Sequence, residues 1–203
     1  VVVDITCNGG SDGSITTTAS GGLAPLNYNL QPGNLNNAVG VFNNLTAGVY
    51  TITVGDANGC SISSTATVAE PSAISWTNTA ATNILCNGGT DGSITVAATG
   101  GTGAISYNLM PTNVTNLTGI FPNLGAATYT LTATDANGCT LTTTLQITEP
   151  SVLSWTNTVV TNISCNGGAD GSINVTATGG TGIINYTLQK WNTADLTWSK
   201  FNK

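Results

Sequence analysis

A short pattern that returns at a fixed interval constrains this chain more than any other feature. It reads Cys7-Asn8-Gly9-Gly10-Ser11-Asp12-Gly13-Ser14-Ile15, then Cys86-Asn87-Gly88-Gly89-Thr90-Asp91-Gly92-Ser93-Ile94, then Cys165-Asn166-Gly167-Gly168-Ala169-Asp170-Gly171-Ser172-Ile173. Cys7 to Cys86 is 79 positions, and Cys86 to Cys165 is 79 again. A fixed period of this length predicts a series of stacked units, not one large core. Other landmarks keep the same offset. Asp56-Ala57-Asn58-Gly59-Cys60 returns as Asp135-Ala136-Asn137-Gly138-Cys139, and Glu70-Pro71-Ser72 returns as Glu149-Pro150-Ser151. The Glu-Pro joints divide the chain into repeats at 1–71, 72–150 and 151–203. The third diverges over 189–203 and stops before its own Asp-Ala-Asn-Gly-Cys, due near position 218. A start at valine in mid-pattern marks the chain as an expected interior segment or processed product.

Each copy punctuates alternating runs with turn chemistry. In the second, Ile94, Val96 and Ala98 share one parity, as do Tyr107 and Leu109, then Tyr129, Leu131 and Ala133, then Leu145 and Ile147. Thr, Ser and Asn fill the opposite parity, which predicts strands with one buried and one wet face. Asp-Gly before the first strong strand and Asp-Ala-Asn-Gly between two later runs are tight-turn signals. Leu45 to Tyr50 and Leu124 to Tyr129 have the form of a tyrosine corner. About seven short strands per repeat predict an all-β fold, a tandem array of immunoglobulin-like β-sandwiches of 79 residues each. The short Glu-Pro joints predict a semi-rigid array.

Charge excludes several functions. The chain has nine acidic residues and three lysines, no histidine and a net charge of −6. It has no arginine, and its first lysine is Lys190. With no basic residue before position 190 it cannot present the patch that neutralises nucleic-acid phosphates, and binding to anionic membrane is disfavoured for the same reason. No run is long and apolar enough for a spanning helix, and no signal peptide is expected within this stretch. Without His or Arg there is no Ser-His-Asp or Cys-His arrangement, so the chain is not expected to be an enzyme. Paired carboxylates duplicated in every repeat would make an odd active site.

Five cysteines, without histidine partners or Cys-x-x-Cys spacing, favour disulfides over a metal centre and hence an oxidising, extracytoplasmic setting. Cys7–Cys60 and Cys86–Cys139, each spaced by 53, keep both partners within one repeat. The alternative set, Cys60–Cys86 and Cys139–Cys165, crosses the joints. On the within-repeat pairing Cys165 stands unpaired.

The combined motifs Cys-x-Gly-x-x-Asp-Gly-Ser-Ile, Gly-Gly-x-x-x-x-x-Tyr, Asn-Leu-x-x-x-x-Tyr-Thr and Asp-Ala-Asn-Gly-Cys resemble the SprB repeat family across all but 189–203. The resemblance implies a stalk or filament segment of a large secreted adhesin of Bacteroidota. Such adhesins are exported by the type IX route and serve surface attachment or gliding. Implied partners are neighbouring repeats and extracellular surfaces or polysaccharides. A laterally self-assembling filament or sheath subunit is the second reading, and a carbohydrate-binding module the third.

No cofactor is expected, with Ca²⁺ as the one candidate. Asp12, Asp56 and Glu70, repeated as Asp91, Asp135 and Glu149, are the acids available for its oxygen-rich shell. The competing and favoured reading makes Asp12 and Asp56 turn caps and Glu70 a joint residue. Trp76 and Trp155 share parity with aliphatic neighbours and are expected to pack, not to stack on sugars. Trp191 and Trp198 have no counterpart in the earlier copies. They flank the expected hairpin turn Asn192-Thr193-Ala194-Asp195 and are the candidates for carbohydrate or partner binding. The Thr-rich faces lack the short-period ladder that ice binding requires.

Overall fold

The computed structural model describes residues 1–192 and 197–200, and the side chains of 1–190. Among the described residues all the regular structure is strand. The first copy contributes β1 (Val2–Val3), β2 (Gly13–Thr16), β3 (Asn27–Gln31), β4 (Leu35–Asn37), β5 (Val41–Leu45), β6 (Gly48–Gly55) and β7 (Ser61–Val68). The second contributes β8 (Ser75–Thr82), β9 (Gly92–Thr99), β10 (Ser106–Met110), β11 (Val114–Asn116), β12 (Ile120–Leu124), β13 (Ala127–Thr134) and β14 (Thr140–Ile147). The third adds β15 (Ser154–Thr161), β16 (Ser172–Thr178), β17 (Gln189–Asn192) and β18 (Thr197–Lys200). The protein is thus a tandem series of β-sandwich repeats.

In the first copy the sheets run β1-β2-β5 and β4-β3-β6-β7, antiparallel throughout. Ile15, Phe42 and Leu45 from one sheet meet Tyr28, Leu30, Tyr50, Ile52 and Val68 from the other, with Ile5 closing the end. In β3 and β6 these are alternate residues, because alternate side chains point to the same face. Phe42 and Leu45 are three apart because Asn44, at φ +57°, breaks the alternation of β5 where its register against β2 shifts. The order recurs in the second copy as β12-β9-β8 and β11-β10-β13-β14. There Ile94, Val96, Tyr107, Leu109, Leu124, Tyr129, Leu131, Ala133 and Ile147 are buried, while Leu145 is half-buried.

Tyr hydroxyls tie strands to loops in a repeated way. Tyr50 donates to Thr46 O at 2.9 Å, which makes the Leu45–Tyr50 segment a tyrosine corner. Tyr28, Tyr107 and Tyr186 each accept a backbone N–H, from Ala19, Ala98 and Ala177 respectively.

The chain divides into two compact units that cut across the sequence repeats. One holds 1–81, 94–121 and 128–145, and the other holds 82–93, 122–127 and 146–203. The first contains the first copy's core. In the second, β15 pairs with β16 through a bulge near Trp155–Asn157, and β17 pairs with β18.

Candidate functional site

The hairpin turn is built on one carboxylate. Asp56 Oδ1 accepts the N–H groups of Asn58 and Cys60 at 3.0 and 2.9 Å, while Oδ2 accepts Leu23 N–H at 3.1 Å. Asp135 repeats this with Asn137, Cys139 and Thr102. Donated hydrogen bonds stabilise the charged form, so both carboxyls lie below their usual pKa, chiefly through the Leu23 and Thr102 N–H groups. Asp12 takes Thr6 N–H on both oxygens, and the Thr6 side chain and backbone hold its pKa down. Asp91 receives Leu85 N–H in the same place, and Asp170 receives Ser164 N–H.

Glu70 and Glu149 act elsewhere. Glu70 Oε2 accepts Gly9 N–H at 2.6 Å, and Glu149 Oε2 accepts Gly88 N–H at 2.6 Å. Asn8 Nδ2 donates to Pro71 O and Asn87 Nδ2 to Pro150 O, both at 3.0 Å. The first two Cys-Asn-Gly-Gly loops are therefore each clamped onto the Glu-Pro joint that follows their own copy. The calcium candidates are spread among a loop, a hairpin and a joint, each with a backbone N–H on it. Among the described residues, no three His, Cys, Asp or Glu side chains are grouped to hold a metal.

The joint between the first and second copies lies within the first unit. Beyond the clamp, Gly101 N–H donates to Ser72 O at 2.8 Å. Gly100 has φ +92°, and a Cβ there would run into Ala73 O. Only glycine lets the linker lie this close. Across this joint Cys7 is bonded to Cys139, with Cα atoms 5.6 Å apart. Asn137 Nδ2 also donates to Thr6 O at 3.2 Å, fixing the incoming hairpin beside the loop.

The pairings Cys7–Cys60 and Cys86–Cys139 expected from the spacing are therefore not those of the structure. Cys60, Cys86 and Cys165 are free thiols, all exposed. The reason is strand length. Ile5 N–H bonds Ala69 O, which places the Cys7 loop at the end of β7, whereas Cys60 immediately precedes its start. Eight strand residues span about 26 Å, far beyond the roughly 4.4–6.8 Å between Cα atoms that a disulfide allows. β14 is equally long. The loop cysteine faces the next repeat's hairpin, not its own. The signal for this pairing was present as the separation of 132, the sum of one period and one internal spacing, but nothing local distinguishes it from 53.

Trp76 is half-buried and stacks on Tyr107, with centroids 6.2 Å apart, while Trp155 is exposed at 66 % and leans on Tyr186 at 6.0 Å. The backbone pairs Trp191 with Trp198. Their side chains, and turn residues 193–196, lie outside the described residues.

Among the described residues, no helix is long and apolar enough to cross a membrane. No curated protein matches the chain. The SprB repeat family model matches it at residues 1–35, 78–115 and 157–193, once in each copy and over more than half its length. That family is a structural, adhesin-like repeat associated with cell-surface proteins. With its sandwich copies and its clamped Cys-Asn-Gly-Gly loops, this chain belongs to the SprB repeat family.

Proposed function

We propose that this chain is a stalk segment of a large secreted Bacteroidota adhesin, exported by the type IX route. It projects a distal adhesive region from the cell and carries traction during attachment or gliding. The observation that supports this reading is the joint. A linker clamped at Glu70 and Asn8, closed over Gly100 and Gly101 and crossed by Cys7–Cys139, resists bending and pulling apart. A ligand-binding module has no need of such a joint; a load-bearing rod does.

The test is small-angle scattering on chains of increasing numbers of complete repeats under oxidising conditions. A monomer whose longest dimension grows in proportion to repeat number supports the stalk. Regular fibres that form with rising concentration would mean that the repeat is an assembly subunit instead.

A further inference from the structure

The four-stranded sheet of each complete repeat has one blunted edge and one open edge. The blunted edge is β4 or β11, each three residues long. The strands that follow, β5 and β12, are interrupted by Asn44 and Asn123 at φ +57° and +59°, and β12 carries Pro122. Short strands, kinks and proline keep an edge from pairing with another chain. The open edge is β7 or β14, eight residues each, with no charge, proline or glycine. β7 pairs with β6 at all eight positions without a register shift. Among the described residues β14 pairs with β13 alone.

Neighbouring repeats leave this edge open. The first repeat is followed by a complete one, yet residues 61–65 of β7 are exposed. The second is preceded by a complete one, yet along β14 Thr140, Thr142, Thr144 and Gln146 are exposed, and Leu141, Thr143 and Leu145 are only half-buried. The joint between the two repeats engages loop, linker and hairpin instead.

The sequence of β14 is matched to itself. An antiparallel partner of the same sequence, related by a two-fold axis at Thr143, sets Leu141 opposite Leu145 and Thr142 opposite Thr144, each pair occurring twice. Leucines then meet on the core-side face and threonines on the wet face, so both faces stay in phase. β7 has the same symmetry about Ser64, with Ile62 opposite Ala66 and Ser63 opposite Thr65. Its smaller side chains make it the weaker edge, since β-branched and hydroxyl pairs such as Thr with Thr favour strand pairing. Charge points to the same place. The chain carries −6, but residues 136–148 include no ionisable carboxylate or amine, so two molecules meet there without opposing their acids.

We propose that β14 is a docking edge for a second molecule of this chain, through an antiparallel β14–β14 pair centred on Thr143. The pair joins two four-stranded sheets into one, and it covers the half-buried Leu141 and Leu145 of both molecules. Strand addition supplies the backbone hydrogen bonds, and the facing leucines supply the register. A two-fold contact uses the same patch on both partners and closes on itself, so the product is a dimer and not a fibre. The inference stands whether or not the array serves as a stalk.

The test uses the full chain with its free thiols capped by iodoacetamide and the Cys7–Cys139 bond intact. Sedimentation equilibrium is expected to show a reversible monomer–dimer equilibrium. Thr142→Lys with Thr144→Lys sets like charges opposite each other twice, and should raise the dimer dissociation constant on the order of tenfold or more. Thr142→Lys with Thr144→Glu changes the same two positions but sets opposite charges across the axis, and should restore the dimer. Both side chains are exposed, so circular dichroism melts of the two variants should match the parent. A chain that stays monomeric at every concentration, a dimer indifferent to the two lysines, or equal loss in both variants would overturn the proposal. Fibres from the parent chain would show an open contact and would overturn it too.

Discussion

Asp56 and Asp135 each gather three backbone N–H groups onto one carboxylate, so the shape of the hairpin turn depends on that group being charged. With Asp12 they titrate below the normal range in the folded chain. A depressed folded pKa gives stability that is complete above the unfolded value of about 4 and is lost as pH falls through the folded one. Thermal unfolding followed by circular dichroism should therefore hold its midpoint between about pH 8 and 5 and drop below about pH 4. Asp56→Asn with Asp135→Asn should flatten that acid limb. Two glycines of the same backbone geometry differ in what surrounds them. Gly21 and Gly100 have φ of +86° and +92°, yet only at Gly100 would a Cβ meet the linker. Both alanine variants should lose about 1–3 kcal/mol from strain, and Gly100→Ala should lose more. Equal losses in denaturant melts would mean that the Ala73 contact is immaterial. The Asp-Gly and Asn-Gly turns were legible in the sequence because those residues tolerate such geometry locally. The carboxylate's reach to Leu23 was not, because it depends on a loop 33 positions away.

Strand faces could be read directly from the sequence. The parity of Tyr107 and Leu109, of Tyr129 and Leu131, and of Ile94 and Val96 names the buried set, because one slip in register would turn every apolar side chain outward. Leu145 shares its parity but is only half covered. Cysteine pairing could not be read, since spacing along the chain says nothing about which end of a strand a loop packs against. Non-reducing peptide maps should yield one bridged pair, Cys7 with Cys139, and free thiols at Cys60, Cys86 and Cys165. Closing a loop of 132 positions should stabilise the fold by about 5 kcal/mol on chain-entropy grounds. Cys139→Ser should accordingly lower the unfolding midpoint by many degrees and make the joint at Ser72–Ile74 an early site of proteolysis.

Over the whole molecule, the exact period gave the architecture before any strand was placed, because a unit recurring without insertion must fold the same way each time. It gave less about residues 189–203, which have no counterpart in the earlier copies. Chelation addresses the acids at this scale. Asp12, Asp56 and Glu70 each already receive backbone N–H groups, so EDTA should leave the unfolding midpoint nearly unchanged. A large drop, restored by Ca²⁺, would assign them to the ion instead.

The bridge from Cys7 to Cys139 also decides which residues feel a pull. Tension entering near Val1 reaches Cys7 within a few residues, passes through sulfur to Cys139 and continues toward Lys203. Everything between those cysteines hangs as a side loop that no force along the backbone can draw out. At about 3.4 Å per residue, the 132 positions of that loop keep about 450 Å of contour in reserve. A chain wired in this way would stay short under a load that opens its sandwiches, and it would lengthen fully only after the sulfur bond is reduced.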